Sequence, residues 1–149
     1  MNRAEIFTII KTKLERDIED LDSSLGALVN DLSNETKSSA GDKYETAREM
    51  IQQERQQLET TKQSKRQQLT QITRLSENGS AKVSEAGSIV STTNGLFLLG
   101  VPIGKIELTT ESILFALGLQ SPLSQQLLGK TAGSAFQLNG ISYTILDLY

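Results

Sequence analysis

Glu35-Thr36-Lys37-Ser38-Ser39-Ala40-Gly41-Asp42-Lys43-Tyr44-Glu45-Thr46-Ala47-Arg48-Glu49 is the stretch on which the reading of this chain turns. Serine, glycine and aspartate crowd its centre, and these residues favour turns and helix starts over helix interiors. On either side the apolar residues recur at helical spacing. A connection this short between two helical segments favours an antiparallel hairpin over a parallel dimer. The tip of that hairpin is expected near residues 34–43.

Upstream of the tip, Phe7, Leu14, Leu21 and Leu28 repeat every seven residues, with Ile18, Leu25 and Leu32 between them. Alternating steps of three and four put all of them on one seam, the pattern of a coiled coil. Glu15, Arg16, Asp17, Glu19 and Asp20 fill the other faces. Lys11 interrupts the seam, and Gly26 costs about 1 kcal/mol of helix propensity relative to alanine. Downstream, Tyr44, Ala47, Ile51, Leu58, Ile72 and Leu75 keep the spacing more weakly, with Glu54, Thr61, Lys65 and Gln68 as polar interruptions. A helix this polar gains most of its stability from a partner, and the nearest partner is the first arm. Each arm of about 30 residues would span roughly 45 Å at 1.5 Å per residue.

Composition narrows the chemistry. The chain has 149 residues, no cysteine, no histidine and a net charge of −3. Disulfides, thiolate nucleophiles and Cys–His acyl transfer are excluded, and so are the commonest general base and metal ligand. No global positive field draws the protein to nucleic acid or to an anionic membrane. No run of about 18 apolar residues occurs, and the start Met1-Asn2-Arg3-Ala4-Glu5 leads into no signal-peptide core, so a cytoplasmic protein is expected.

Composition changes near Gly79, where charge thins and Gly, Leu, Ile and Thr take over. The expected organisation is a hairpin over residues 1–78, a linker over 79–86 and a second domain over 87–149. Asn94-Gly95, between Ser88–Ser91 and Leu96–Leu99, is a hairpin signal, and Asn139-Gly140 is a second one. Lys105 to Thr109 reads as a strand after the break at Pro102 and Gly104, while Ile113 to Leu117 is an apolar run of undecided type. Ile141, Tyr143 and Ile145 alternate with Ser142 and Thr144, which gives a half-buried closing strand. Between these strands, Ser121-Pro122 opens a short helix that Gly129 ends. The fold class is therefore α+β.

The acids of the tip admit two readings. Ser39 and Asp42 fit a variant capping box, and Asp42 and Glu45 suit the positive end of a helix without any further role. Alternatively, two carboxylates three residues apart on a first helical turn share a face and can meet a hard cation. Mg²⁺ is often held by one or two carboxylates, with phosphate oxygens and water completing its shell. Such a tip would complete a metal site inside a partner rather than form one alone.

The Gly41-Asp42-x-x-Glu45 run resembles the tip of the Gre family of bacterial transcript-cleavage factors. Ser121-Pro122-Leu123, the short helix ending Leu127-Leu128-Gly129-Lys130, and the closing Tyr143-Thr144-Ile145 resemble that family's C-terminal domain in the same order. Ser134 stands where the family often has an acid. The resemblance implies an FKBP-like fold for residues 87–149 and RNA polymerase as partner. The hairpin would enter the secondary channel, with only indirect contact to RNA. Asp42 and Glu45 would help hold the second Mg²⁺ that drives hydrolysis of backtracked transcript, while Ser121, Pro122 and Leu123 would dock on the channel rim. Those last three also read as a helix start with a buried leucine.

The factor would be a soluble monomer that binds no cofactor alone and is no enzyme by itself. It would share Mg²⁺ with the polymerase. A second register of the tip, anchored on Tyr44, Ala47, Arg48 and Glu49, places Lys37 and Ala40 where the family has its acids. Glu35 or Asp42 would then have to substitute. A channel-binding regulator without cleavage is the alternative. A peptidyl-prolyl isomerase would need an aromatic-lined pocket, for which Phe97, Phe115, Phe136, Tyr143 and Tyr149 are few.

Overall fold

The computed structural model describes residues 1–37, 42–79 and 82–149, and in the helices flanking the tip the side chains of residues 32, 34–37 and 42–44 lie outside that description. The chain is α+β. Helix α1 (Arg3–Lys37) and helix α2 (Asp42–Glu77) are followed by β1 (Ile89–Thr92), β2 (Gly95–Leu99), β3 (Gly104–Glu107) and β4 (Ile113–Leu117). Helix α3 (Pro122–Leu127), β5 (Ala135–Leu138) and β6 (Ile141–Leu148) complete it. The chain forms two compact units, one of Lys13–Gln67 and one of Met1–Thr12 together with Gln68–Tyr149.

In the unit Lys13–Gln67 the helices run antiparallel, because Asp17 pairs with Lys65 at 3.6 Å and Asp22, five residues on, pairs with the earlier Lys62. Leu14, Leu25 and Leu28 are buried, while Ile18, Leu21, Ile51 and Leu58 are half-buried. The heptad of α1 is therefore the seam. Side chains of Leu32 and Tyr44, expected on it, lie outside the described residues. The polar interruptions of α2 do not share one fate. Glu54 and Thr61 are exposed, and the Thr61 hydroxyl donates to the Gln57 carbonyl at 2.9 Å. Lys65 instead lies along the seam's flank with its charge on Asp17, as a long stem with a polar head allows. Around Gly26 there is open space, so its cost is one of helix propensity alone.

In the other unit the buried set of α1 widens beyond the seam. Ile6, Phe7 and Ile10 are at most 2% exposed, and Ile72 and Leu75 of α2 are buried with them. Positions 6 and 7 lie four and three residues before 10, so the three make a broad apolar stripe, the width a helix needs when it faces a body rather than one partner. Lys11, expected only as an interruption, is half-buried and donates to the Ser76 hydroxyl at 3.1 Å.

The sheet has the order β3-β4-β2-β1-β6-β5. All neighbours are antiparallel except β2 and β4, because β3 takes the outer edge and returns β4 beside β2 in the same direction. The undecided run Ile113–Leu117 is thus a strand. Val90, Phe97, Leu99, Leu127, Ile145 and Leu148 form a core on the face that α3 covers. Residues of opposite parity, Ile89, Leu98, Ile106 and Leu114, are fully buried on the other face.

The two Asn-Gly pairs serve differently. Asn139 (φ 51°) and Gly140 (φ 78°) both have positive φ, as the tight two-residue hairpin turn requires. At the first hairpin the loop is Thr93-Asn94, and Gly95 already pairs with Thr92. The Thr92 hydroxyl closes that loop, accepting from Asn94 N at 3.1 Å and donating to Gly95 O at 3.0 Å. The closing strand also departs from simple alternation. Its register against β1 shifts between Ser91↔Asp147 and Thr92↔Ile145, so one residue bulges and both Ile145 and Leu148 point inward.

Candidate functional site

The tip and the Ser-Pro helix are the two candidate sites, and they fall in different units. Glu35 lies in the last turns of α1, Asp42 begins α2, and Glu45 follows one turn later with its side chain exposed. A helix start at Asp42 is what an acid beside free N–H groups favours. The Asp42 and Glu35 side chains, Lys37's side chain, Ala40 and the Ser39–Asp42 capping box lie outside the described residues. Among the described residues no group of three or more His, Cys, Asp or Glu is placed to hold a metal ion. No described helix is long and apolar enough to cross a membrane.

The Ser121 region is fully described. Ser121 is extended (φ −65°, ψ 146°), and its hydroxyl oxygen accepts from Ser124 N at 3.2 Å, which makes it the N-cap of α3. It also donates to the Ser124 hydroxyl at 2.9 Å. Pro122 occupies the first helical position, where a missing N–H costs nothing. Leu123 packs half-buried against the sheet core. Within the expected docking triplet, then, Ser121 is engaged in capping and Leu123 in packing. Pro122 is exposed, as are Gln125 and Gln126 on the next turn.

The end of α3 is held from outside the helix. Ser84 is 2% exposed, and its hydroxyl donates to the Leu127 carbonyl and accepts from Lys130 N at 3.1 Å. Its backbone adds Ser84 N to Lys130 O and Gly129 N to Ser84 O, both 2.8 Å. The helix end is therefore fixed by a residue some forty positions earlier in the chain, which no local motif announces.

An aromatic row on the α3-bearing face was not assembled by sequence reasoning. Phe115 lies 6.2 Å from Phe97, Phe97 lies 6.3 Å edge-on to Tyr143, and Tyr143 stacks on Phe136 at 5.1 Å. Lys130 Nζ sits 5.9 Å from the Phe136 ring. Phe97 is buried within the row, whereas Phe115 is 39% exposed beside Ile113 at 41%. The Phe136–Tyr143 pair follows from counting back across the Asn139-Gly140 turn. Phe97–Phe115 depends on the parallel β2–β4 pairing, which has no local signal. No family model, no curated protein and no solved structure matches the chain.

Proposed function

We propose that this protein is a bacterial transcription elongation factor of the Gre type, which binds RNA polymerase at its secondary channel and assists cleavage of backtracked RNA. The observation that carries the reading is the order of elements. Two helices of 35 and 36 residues, with Glu35 and Asp42 on either side of a short connection, precede a six-stranded sheet whose short helix is capped by Ser121 and opened by Pro122. In the Gre family the same order serves insertion and docking, with an FKBP-like fold in the second domain.

The protein is not an enzyme by itself. Asp42 and Glu45 lend carboxylates to an Mg²⁺ that the polymerase and the transcript phosphates already hold in part, where the ion can activate water. Exposure of Glu45 and the start of α2 at Asp42 support this role for the pair. For docking, the engaged Ser121 hydroxyl shifts the contact role to Pro122, with Gln125 and Gln126 beside it. Ile113 and Phe115 offer apolar surface on the same domain. The factor acts as a cytoplasmic monomer.

The test is RNA shortening in stalled, backtracked complexes of the cognate polymerase. Mg²⁺-dependent shortening is expected with the wild type and lost in Asp42→Asn/Glu45→Gln, while binding to polymerase persists. Binding without shortening by the wild type would make the protein a channel-binding regulator. That outcome corresponds to the tip register that places Lys37 and Ala40 at the family's acidic positions. Absence of binding would overturn the proposal.

A further inference from the structure

The sheet carries two Asn-Gly pairs, and their surroundings are opposite. Asparagine before glycine is chemically labile, because no side chain on the glycine hinders its nitrogen from reaching the carboxamide carbon. Asn94 is held on both sides. Its carboxamide nitrogen donates to Ser142 O in β6, and its backbone nitrogen donates to the Thr92 hydroxyl at 3.1 Å. Gly95 stands in register with Thr92, and a Cβ built on it would lie 3.3 Å from the Phe97 ring.

At Asn139 nothing of this kind is present. Asn139 and Gly140 are both exposed, and a Cβ built on Gly140 would meet nothing within 4 Å. Among the described residues no group bonds the Asn139 carboxamide, and Gly140 N donates to no backbone oxygen in the turn. Asn139 also has φ 51°, a region that a residue with a Cβ occupies at a cost, so its backbone gains by leaving it.

We propose that Asn139 is a site of spontaneous covalent modification, where the carboxamide closes on Gly140 N and reopens as isoaspartate. The Gly140 nitrogen attacks Asn139 Cγ. A C–N bond forms, the Cγ–Nδ2 bond breaks, and Nδ2 leaves as ammonia with the proton that the glycine nitrogen gives up. Water then adds to one carbonyl of the five-membered imide. Opening at Cγ gives aspartate, and opening at the backbone carbonyl gives isoaspartate, in which the main chain runs through Cβ and Cγ. Either product adds a negative charge, but only isoaspartate lengthens the turn.

That extra atom acts on the hairpin. Turn type and loop length fix a hairpin's register, and this turn depends on positive φ at both of its residues. Strand β5 lies at the sheet edge and pairs with β6, whereas β6 also pairs with β1. A lengthened turn therefore loosens β5 first, and with it the Phe136–Tyr143 stack at 5.1 Å. The inference does not depend on the proposed function.

The experiment ages the full chain in warm, mildly alkaline buffer. Peptide mapping by mass spectrometry follows conversion at each asparagine, and methyl transfer from a labelled donor by an isoaspartate methyltransferase identifies the isoaspartate. Closure is slow against local opening, so its rate follows the population in which the reacting groups are free. With a net hydrogen bond holding the Asn94 carboxamide, Asn139 is expected to convert about tenfold faster. In unfolding urea the two sites should convert at similar rates. In the aged chain, amide exchange at residues 135–138 should quicken, while Asn139→Asp, which has the charge without the extra atom, should keep the wild-type exchange. Conversion at Asn94 as fast as at Asn139 in the folded chain would overturn the proposal. So would a preference for Asn139 that persists unchanged in urea, or isoaspartate at this position with exchange in β5 unaltered.

Discussion

Gly87 and Gly133 have nearly the same backbone, with φ +92° and +89°, but opposite surroundings. A Cβ on Gly133 meets nothing within 4 Å, while one on Gly87 lies 2.9 Å from a backbone oxygen. Gly133→Ala should therefore cost only the left-handed strain, about 1–2 kcal/mol. Gly87→Ala should cost a further ~1–3 kcal/mol, because backbone cannot swing aside as a side chain can. Urea denaturation of the two variants measures the difference. Ser121→Ala removes a cap and should cost about 1 kcal/mol in the same assay. At this scale legibility follows distance along the chain. The Ser121-Pro122 cap is local and readable, whereas Arg3 finds its acceptors 72 to 84 residues away and leaves no pattern. Asp42, Glu45 and Glu35 were legible as acids beside a turn, but residue types alone do not decide between capping and metal binding.

Among elements, both arms, both hairpins and the short helix were readable because their signals are periodic or lie within a few residues. The bulge in β6 was not. Strict alternation from Ile145 would turn Asp147 inward and Leu148 outward, yet Leu148 is 4% exposed and Leu146 is 58% exposed. Leu148→Ala should then cost about 2–5 kcal/mol, as truncation in a core does. Leu146→Ala should stay within about 0.5 kcal/mol. Thermal melts of both variants check the pair, and equal effects would contradict the register shift. Ion pairs between the arms are a smaller matter. A double-mutant cycle on Asp22 and Lys62 should give a coupling of about 0.2–1 kcal/mol that shrinks in salt. The half-exposed Asp22 carboxylate keeps that value low.

For the whole molecule, the change of composition near Gly79 marks where helix gives way to sheet, but the compact units divide elsewhere. One of them joins Met1–Thr12 to Gln68–Tyr149, so the sheet shares its unit with both helix ends. Sequence reasoning follows neighbours along the chain and has no access to that union. Excising residues 13–67 and joining Thr12 to Gln68 through a short Gly-Ser linker should keep the amide shifts of residues 89–148. Removing residues 1–12 from the full chain should instead lower the melting temperature, since Ile6, Phe7 and Ile10 are buried there.

This union also fixes an order of events during synthesis. Contacts between the two ends of a chain close late, whereas the helical pair Lys13–Gln67 is local and closes early. At 5–20 residues per second, the opening turns of α1 wait on the order of ten seconds for the last strand to leave the ribosome. Ribosome-arrested chains ending near residue 100 should show Phe7 accessible to chymotrypsin although α1 and α2 have already paired. Until the rest of their unit, Gln68–Tyr149, has folded against them, Ile6, Phe7 and Ile10 form an incompletely covered apolar stripe, and transiently exposed surface of this kind is what chaperones bind.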